Sequence, residues 1–140
     1  MKRTANAHWN GDLKQGKGEI STQSTTLNKT QYSFNTRFAD GVGTNPEELL
    51  GAAHAGCFTM ALSAVLMQQG FTAGDLDTKA IVDLDPAAQK ITNITLELTA
   101  AAIEGLPKEQ FESIAKTAKE NCPLSKALAA TPISLTVIYQ

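Results

Sequence analysis

The pattern of apolar and polar positions changes along the chain, and its first third is rich in strand-forming residues. The stretches TANAHWN, KGEISTQST and QYSFNTRFA are enriched in Thr, Tyr, Phe and Trp and are separated by glycines or by Asn28. Short segments of this kind between turn residues are typical of strands. The pattern predicts an antiparallel sheet at the start of the fold, with Arg37 on its third strand.

A long helix is predicted directly after the stretch DGVGTNPEE. Asn45 can cap this helix, Pro46 suits its first position, and the two glutamates that follow favour the positive end of the helix dipole. Gly70 can end it. These signals predict a helix of about 25 residues, which would be roughly 37 Å long.

This predicted helix carries no formal charge between Leu49 and Met67. A helix that is apolar on every face is either buried all round or inserted in a membrane. Its glycines, hydroxyl residues and many alanines make a poor membrane span, whereas a chain of 140 residues is short for surrounding it. Small residues between Gly51 and Gly56 would let another backbone approach closely, so the sequence predicts a homodimer built around this helix.

The remaining elements predict an α+β fold. Residues 78–99 read as two strands around a turn, and residues 106–121 read as an amphipathic helix behind Pro107. A short helix follows Pro123, and residues 132–139 form a β-branched strand at the end. No linker-like segment divides the chain, so a single domain over residues 1–140 is expected.

Charge and composition exclude some partners. The formal net charge is −2, and the lysines form no stripe interleaved with aromatic residues, so nucleic acid is not an expected partner. The basic start of the chain is not followed by an apolar run or a cleavage site for secretion. A reducing cytoplasm is therefore the expected location, where two cysteines are more often reactive or inert than a permanent disulfide.

The chemistry of the chain centres on its two cysteines, Cys57 and Cys122. A thiol attacks as thiolate, and at a pKa of about 8.5 only about 3% is ionised at pH 7, so Cys57 in its apolar helix needs a cation. Arg37 is the candidate cation. Cys122 stands just before Pro123, where the N-terminus of the next helix would stabilise a thiolate. The residues alone leave the order of attack open.

Two readings without catalysis compete with a reactive pair. Both cysteines could be buried bystanders, and the chain a non-catalytic ligand-binding dimer. Alternatively, His54 lies three residues before Cys57 on the same helical face and could begin a zinc site with Cys122 and His8.

Several stretches together resemble one protein family. TNPEELLGAAHAGCFTMAL resembles the helix around the first cysteine of the OsmC/Ohr family of thiol peroxidases, and NCPLSKAL resembles the segment around its second cysteine. AHWNGDLKQGKG and YSFNTRF are also similar, so the resemblance covers most of the chain. The arginine shortly before the helix favours the OsmC branch over the Ohr branch.

The resemblance implies a fold and a mechanism. The fold would be antiparallel sheets around a long central helix in an intertwined homodimer, without cofactor or metal. Cys57 would attack an organic hydroperoxide and become a sulfenic acid, and Cys122 would convert it to a disulfide that a thiol or lipoyl-type dithiol reduces. Arg37 would activate Cys57, and Glu47 would hold the guanidinium in place. A role in oxidative or osmotic stress defence is implied as well.

Helix geometry adds an expectation about Glu47. Ten residues separate it from Cys57, which is about 15 Å of rise along a straight helix. We therefore expect Glu47 to serve the Cys57 of the other subunit, unless the helix breaks at Gly51 or Gly56.

Overall fold

Three short strands form the first sheet. In the computed structural model, which describes residues 1–140, these are β1 (Ala5–Asn10), β2 (Lys17–Thr22) and β3 (Thr30–Tyr32), in the order β1-β2-β3. Both neighbouring pairs are antiparallel, as predicted.

The prediction that the third strand continues through Arg37 is wrong. Residues Phe34–Phe38 form a short helix, α1, and Arg37 lies in its last turn. The Ser33 hydroxyl accepts a hydrogen bond from the Thr36 N–H at 3.3 Å, and the Ser33 N–H donates to the Thr36 hydroxyl at 2.8 Å. This reciprocal pair is a capping box, which satisfies free N–H groups at the helix start and so favours helix over strand.

The long apolar helix is confirmed as α2 (Pro46–Gln68), and it runs without a break through Gly51 and Gly56. The Asn45 side chain caps it by accepting from the Glu48 N–H at 2.8 Å. Gly70 follows its end with a φ of +83°, a conformation that glycine adopts without strain. One face of α2 is buried and consists of Gly51, His54, Phe58, Leu62 and Leu66.

The second sheet contains β4 (Leu76–Asp85), β5 (Lys90–Ala100) and β6 (Ile133–Tyr139), in that order. The predicted hairpin of β4 and β5 is antiparallel, but β6 runs parallel to β5, so this sheet is mixed rather than purely antiparallel. A parallel neighbour needs a long crossover, and residues 101–132 supply it.

The crossover contains two helices, α3 (Lys108–Asn121) and α4 (Pro123–Ala127). Cys122 is the only residue between them, and it is both the C-cap of α3 and the N-cap of α4. The predicted amphipathic face of α3 is buried, and it consists of Phe111, Ile114, Ala115 and Ala118. These side chains join the buried residues of α2 and β5 in one hydrophobic core.

The chain forms two compact units, Met1–Leu49 and Leu50–Gln140. The first contains β1, β2, β3, α1 and the start of α2. The second contains the rest of α2 and all later elements. The elements confirm the α+β class, and the single domain over residues 1–140 stays a prediction.

Candidate active site

The two cysteines, 65 positions apart in sequence, meet in the second unit. Their sulfur atoms are 3.0 Å apart, and both are free thiols. Cys57 comes from the middle of α2, and Cys122 comes from the junction of α3 and α4. The geometry allows a reaction between the two sulfurs without movement of any element.

The two sulfurs differ in exposure. Cys57 is partly exposed, whereas Cys122 is completely buried in the hydrophobic core. A molecule in solution can therefore reach Cys57 but not Cys122.

The two thiols also differ in acidity. Burial raises the pKa of Cys57, and the contact with Cys122 raises it further. Burial also acts to raise the pKa of Cys122, but the contact with Cys57 and the polar groups of Ser125 and Leu124 outweigh it and lower the pKa below its ordinary value. Cys122 occupies the N-cap position of α4, as the sequence indicated, but its side chain makes no cap hydrogen bond there.

No cationic side chain of the second unit contributes to the pKa of either cysteine. Cys57 is therefore a reachable sulfur that lacks the partner it needs to ionise. Within residues 50–140, the backbone N–H of Leu124 acts to lower the pKa of Cys57, but burial and the contact with Cys122 outweigh it.

The first unit contains the charged candidates, Arg37 and Glu47. The Arg37 Nε donates to both Glu47 oxygens at 3.1 and 3.2 Å, and Nη2 donates to Oε1 at 2.7 Å. Arg37 also lies over the Phe38 ring, 5.2 Å from its centroid. The Glu47 side chain is only 13% exposed, against 40% for Arg37. The last turn of α1 thus presents a guanidinium that a carboxylate from the first turn of α2 holds in place.

An apolar cavity of about 310 Å³ lies beside this ion pair in the first unit. Its lining includes four aromatic rings, and consists of Trp9, Leu13, Tyr32, Ser33, Phe34, Arg37, Phe38 and Pro46. Sequence analysis did not single out Trp9 or Leu13 as part of a site. Arg37 is the one charged side chain in this lining.

A second buried polar group adjoins the cysteine pair. The His54 Nε2 lies 2.8 Å from the Ser125 hydroxyl oxygen, and both residues are buried. Ser125 was not predicted from the sequence as a site residue. Its spacing was a usable signal, because Ser125 follows Cys122 by three residues just as His54 precedes Cys57 by three.

The residues of the proposed zinc site do not converge. No group of three or more His, Cys, Asp or Glu side chains is close enough to hold a metal ion. His54 instead directs its Nε2 to Ser125.

Comparisons with known proteins find relatives that cover the whole chain. The chain is 48% identical to Peroxiredoxin OsmC of Escherichia coli, over 100% of this chain and 96% of that protein. It is 30% identical to Organic hydroperoxide resistance protein-like 1 of Staphylococcus epidermidis, over 79% of each chain. A crystal structure of an organic hydroperoxide resistance protein OsmC from Legionella pneumophila matches with a TM-score of 0.69 and 27% identity, over 96% of both chains. The profile of the family described as OsmC-like protein matches residues 39–137. The chain therefore belongs to the OsmC-like protein family.

Proposed function

We propose that the protein is a cysteine peroxidase that reduces organic hydroperoxides to alcohols. The observation that carries this function is the pair of free thiols 3.0 Å apart, one reachable and one buried. The relatives named as a peroxiredoxin and as organic hydroperoxide resistance proteins support the same chemistry.

Cys57 is the peroxide-attacking residue in this proposal because a peroxide can reach it. Its thiolate attacks one peroxide oxygen, the O–O bond breaks, the alkoxide leaves and takes up a proton as the alcohol, and the sulfur keeps the other oxygen as a sulfenic acid. Cys122 then attacks the Cys57 sulfur, and the sulfenic oxygen leaves as water. The resulting disulfide is reduced by an external thiol or dithiol through exchange.

Arg37 supplies the charge that Cys57 lacks. A guanidinium about 4 Å from a thiolate is worth roughly 4 kcal/mol at an effective dielectric of 20, which corresponds to about three pKa units. Glu47 fixes this guanidinium through the two-pronged contact described above. The cavity beside Arg37 then receives the organic part of the peroxide.

The active unit in this proposal is a homodimer. One face of α2 remains exposed, although it is apolar, and consists of Ala52, Ala53, Gly56, Met60, Ser63, Ala64 and Met67. By length and composition alone α2 could cross a membrane. We favour a second copy of the chain as the cover, because the opposite face already packs in the core of the second unit.

The unbroken helix supports a site shared between subunits. Glu47 and Cys57 lie about 15 Å apart along one α2, since ten residues rise by that much. In a symmetric dimer with crossed helices, Arg37 and Glu47 of each chain would serve Cys57 of the other, which gives two equal sites.

Gly56 offers a direct test of the dimer. A Cβ at this position would meet no atom within 4 Å in the chain, so Gly56→Leu should leave the monomer folded and favour its helix. The added side chain would keep a second helix away. Light scattering should then report a dimer for the wild type and a monomer without peroxidase activity for the variant.

The matched control is Ala87→Leu, which adds an apolar side chain in the exposed turn between β4 and β5. It should stay dimeric and active. A Gly56→Leu variant that stays dimeric and active would refute the proposed interface.

A peroxidase assay tests the function and its reductant. The protein should consume cumene hydroperoxide with a dithiol present, and dihydrolipoamide, glutathione and thioredoxin should be compared side by side. The competing candidate, a non-catalytic binding dimer, predicts no consumption with any reductant. A peroxidase regenerated by cellular thiols fits a cytoplasmic role in oxidative or osmotic stress defence.

A further inference from the structure

His54 is a buried histidine that takes no part in the proposed reaction. Its side chain is 0% exposed, and its one hydrogen bond joins Nε2 to the Ser125 hydroxyl oxygen at 2.8 Å. The other ring nitrogen, Nδ1, is buried without a hydrogen-bond partner. An unpaired polar atom in a hydrophobic core costs free energy that an apolar side chain of similar shape would not. Packing alone therefore does not account for a histidine at this position.

The His54–Ser125 bond lies next to the contact between the two cysteines. His54 precedes Cys57 by three residues, so the two side chains are neighbours on α2. Ser125 follows Cys122 by three residues, one turn into α4. Two short contacts, 2.8 Å between His54 and Ser125 and 3.0 Å between the two sulfurs, thus join the same two segments. Only the contact between the sulfurs changes in the proposed reaction, so the other contact can hold the segments together throughout it.

Helix α4 has few other means of fixing its position. It contains five residues, and the side chain of its N-cap residue, Cys122, makes no cap hydrogen bond. Leu124 packs against the hydrophobic core, but apolar contacts are not directional. The bond to His54 is the one side-chain hydrogen bond from α4 to another element, and a hydrogen bond fixes both a distance and a direction. It therefore restrains the segment next to the buried sulfur.

We propose that His54 and Ser125 are positioning residues whose hydrogen bond docks α4 on α2 and so holds the Cys122 sulfur within reach of Cys57. This inference rests on the proposed function, in which Cys122 resolves the Cys57 sulfenic acid. In that step Cys122 gives its proton to solvent and attacks the Cys57 sulfur, the S–S bond forms and the S–O bond breaks. The departing hydroxide takes up a proton to become water. A sulfur that is already in place reacts faster than one that must first be ordered.

The first test measures formation of the Cys57–Cys122 disulfide after one equivalent of cumene hydroperoxide. Ser125→Ala and His54→Phe each remove the hydrogen bond, and both should form the disulfide about fivefold more slowly, because this is the factor that one hydrogen bond typically contributes. Dimedone should trap the sulfenic acid that accumulates meanwhile. Ser125→Thr keeps the hydroxyl and should form the disulfide at nearly the wild-type rate.

A double variant separates positioning from stability. Each single variant leaves one buried polar atom without a partner and should therefore be less stable than the wild type in urea unfolding. His54→Phe combined with Ser125→Ala removes both polar partners, which is nearly neutral for stability, so this protein should regain wild-type stability but still form the disulfide slowly. A double variant that regains the wild-type rate together with its stability would show a purely structural role and would overturn the inference.

Ile114→Val is the matched control. It removes one buried methyl group from α3, so it should lower the stability while leaving the rate of disulfide formation unchanged. A rate that falls as far in Ile114→Val as in His54→Phe would also contradict the inference, because any loss of stability would then slow the reaction.

The second test needs no peroxide and separates this inference from the proposed function. In mixtures of oxidised and reduced glutathione, the equilibrium constant for the Cys57–Cys122 disulfide measures the effective concentration of one thiol at the other. His54→Phe and the double variant should lower this constant about fivefold, whereas Ser125→Thr and Ile114→Val should not. Equal constants in all variants would overturn the inference. A wild type that consumes no peroxide would overturn the proposed function, and a lowered constant in His54→Phe would then still support the positioning of Cys122.

Discussion

The two compact units contain different parts of the proposed active site. In Met1–Leu49, the Arg37–Glu47 pair is charged, partly exposed and next to an apolar cavity. In Leu50–Gln140, Cys57 packs against the hydrophobic core and Cys122 is buried within it. One unit contains a cation without a nucleophile, and the other contains a nucleophile without a cation.

In the proposed mechanism neither pair is sufficient for peroxidase activity. An apolar environment suits an organic substrate but raises the pKa of the thiol that must attack it. A guanidinium lowers that pKa, but it is costly to bury unless a carboxylate accompanies it. The predictions below remove one half at a time or separate the two halves between chains.

The largest effect is expected from the cysteines. Cys57→Ser should abolish turnover, because it removes the nucleophile. Cys122→Ser should consume about one equivalent of peroxide and then stop, because the Cys57 sulfenic acid has no partner left. Mass spectrometry after one equivalent of peroxide identifies the oxidised residue. Sulfenic acid on Cys122 in place of Cys57 would reverse the two roles in favour of the more acidic thiol.

Substitution of the cation, Arg37, should cause the second-largest loss of activity. Arg37→Ala should lower kcat/KM at pH 7 by about thirtyfold or more, since an unassisted thiol with a pKa near 8.5 is only about 3% ionised there. Arg37→Lys should be nearly as impaired, because one ammonium cannot reproduce the three contacts with Glu47. The alanine variant should regain activity as the pH rises towards and above the thiol pKa, which a rate-against-pH series measures.

Lys79→Ala serves as the control for a lost cation, because Lys79 makes only an exposed ion pair with Glu97 at 3.6 Å. Its kcat/KM should be unchanged. Full activity of Arg37→Lys would show that a point charge is enough and would remove Glu47 from the mechanism.

Mixing two inactive dimers tests whether the Arg37–Glu47 pair and the Cys57–Cys122 pair of one active site come from different chains. After subunit exchange between Cys57→Ser and Glu47→Ala proteins, a heterodimer joins an intact Cys57 in one chain to an intact Glu47 in the other. Each heterodimer should then recover up to half of the wild-type activity, because one of its two sites is complete. Activity that never exceeds the sum of the parents, despite proven exchange, would place both halves in one chain.

The smallest effect concerns stability and pH at His54. Burial lowers the folded-state pKa of His54, so its contribution to stability is present in full above the unfolded value of about 6.5 and is lost as the pH falls towards the folded pKa. The slope from one such group is at most about 1.4 kcal/mol per pH unit. Urea unfolding between about pH 7.5 and about pH 5 should show a smaller loss for His54→Gln than for the wild type. If both proteins lose the same free energy of unfolding, His54 has the same pKa in the folded and the unfolded state.

The sequence by itself determined most of the elements. Asn45, Pro46 and Gly70 mark the ends of α2 through caps that act within a few residues, so these ends can be recognised without the fold. The buried face of α3 follows from its 3.6-residue period in the same way. Family resemblance then named Cys57, Cys122, Arg37 and Glu47, whose roles in catalysis remain predictions.

The tertiary structure decided the features that depend on contacts between residues far apart in sequence. A strand prediction for Phe34–Phe38 was reasonable from β-rich composition, but the Ser33–Thr36 capping box selected a helix. The parallel pairing of β6 and the 3.0 Å approach of the two sulfurs depend on where the crossover returns the chain. The contact of His54 with Ser125 joins residues 71 positions apart. Caps and periodic faces are local and can be predicted from sequence, whereas contacts made by the burial of separate segments exist only once those segments pack together.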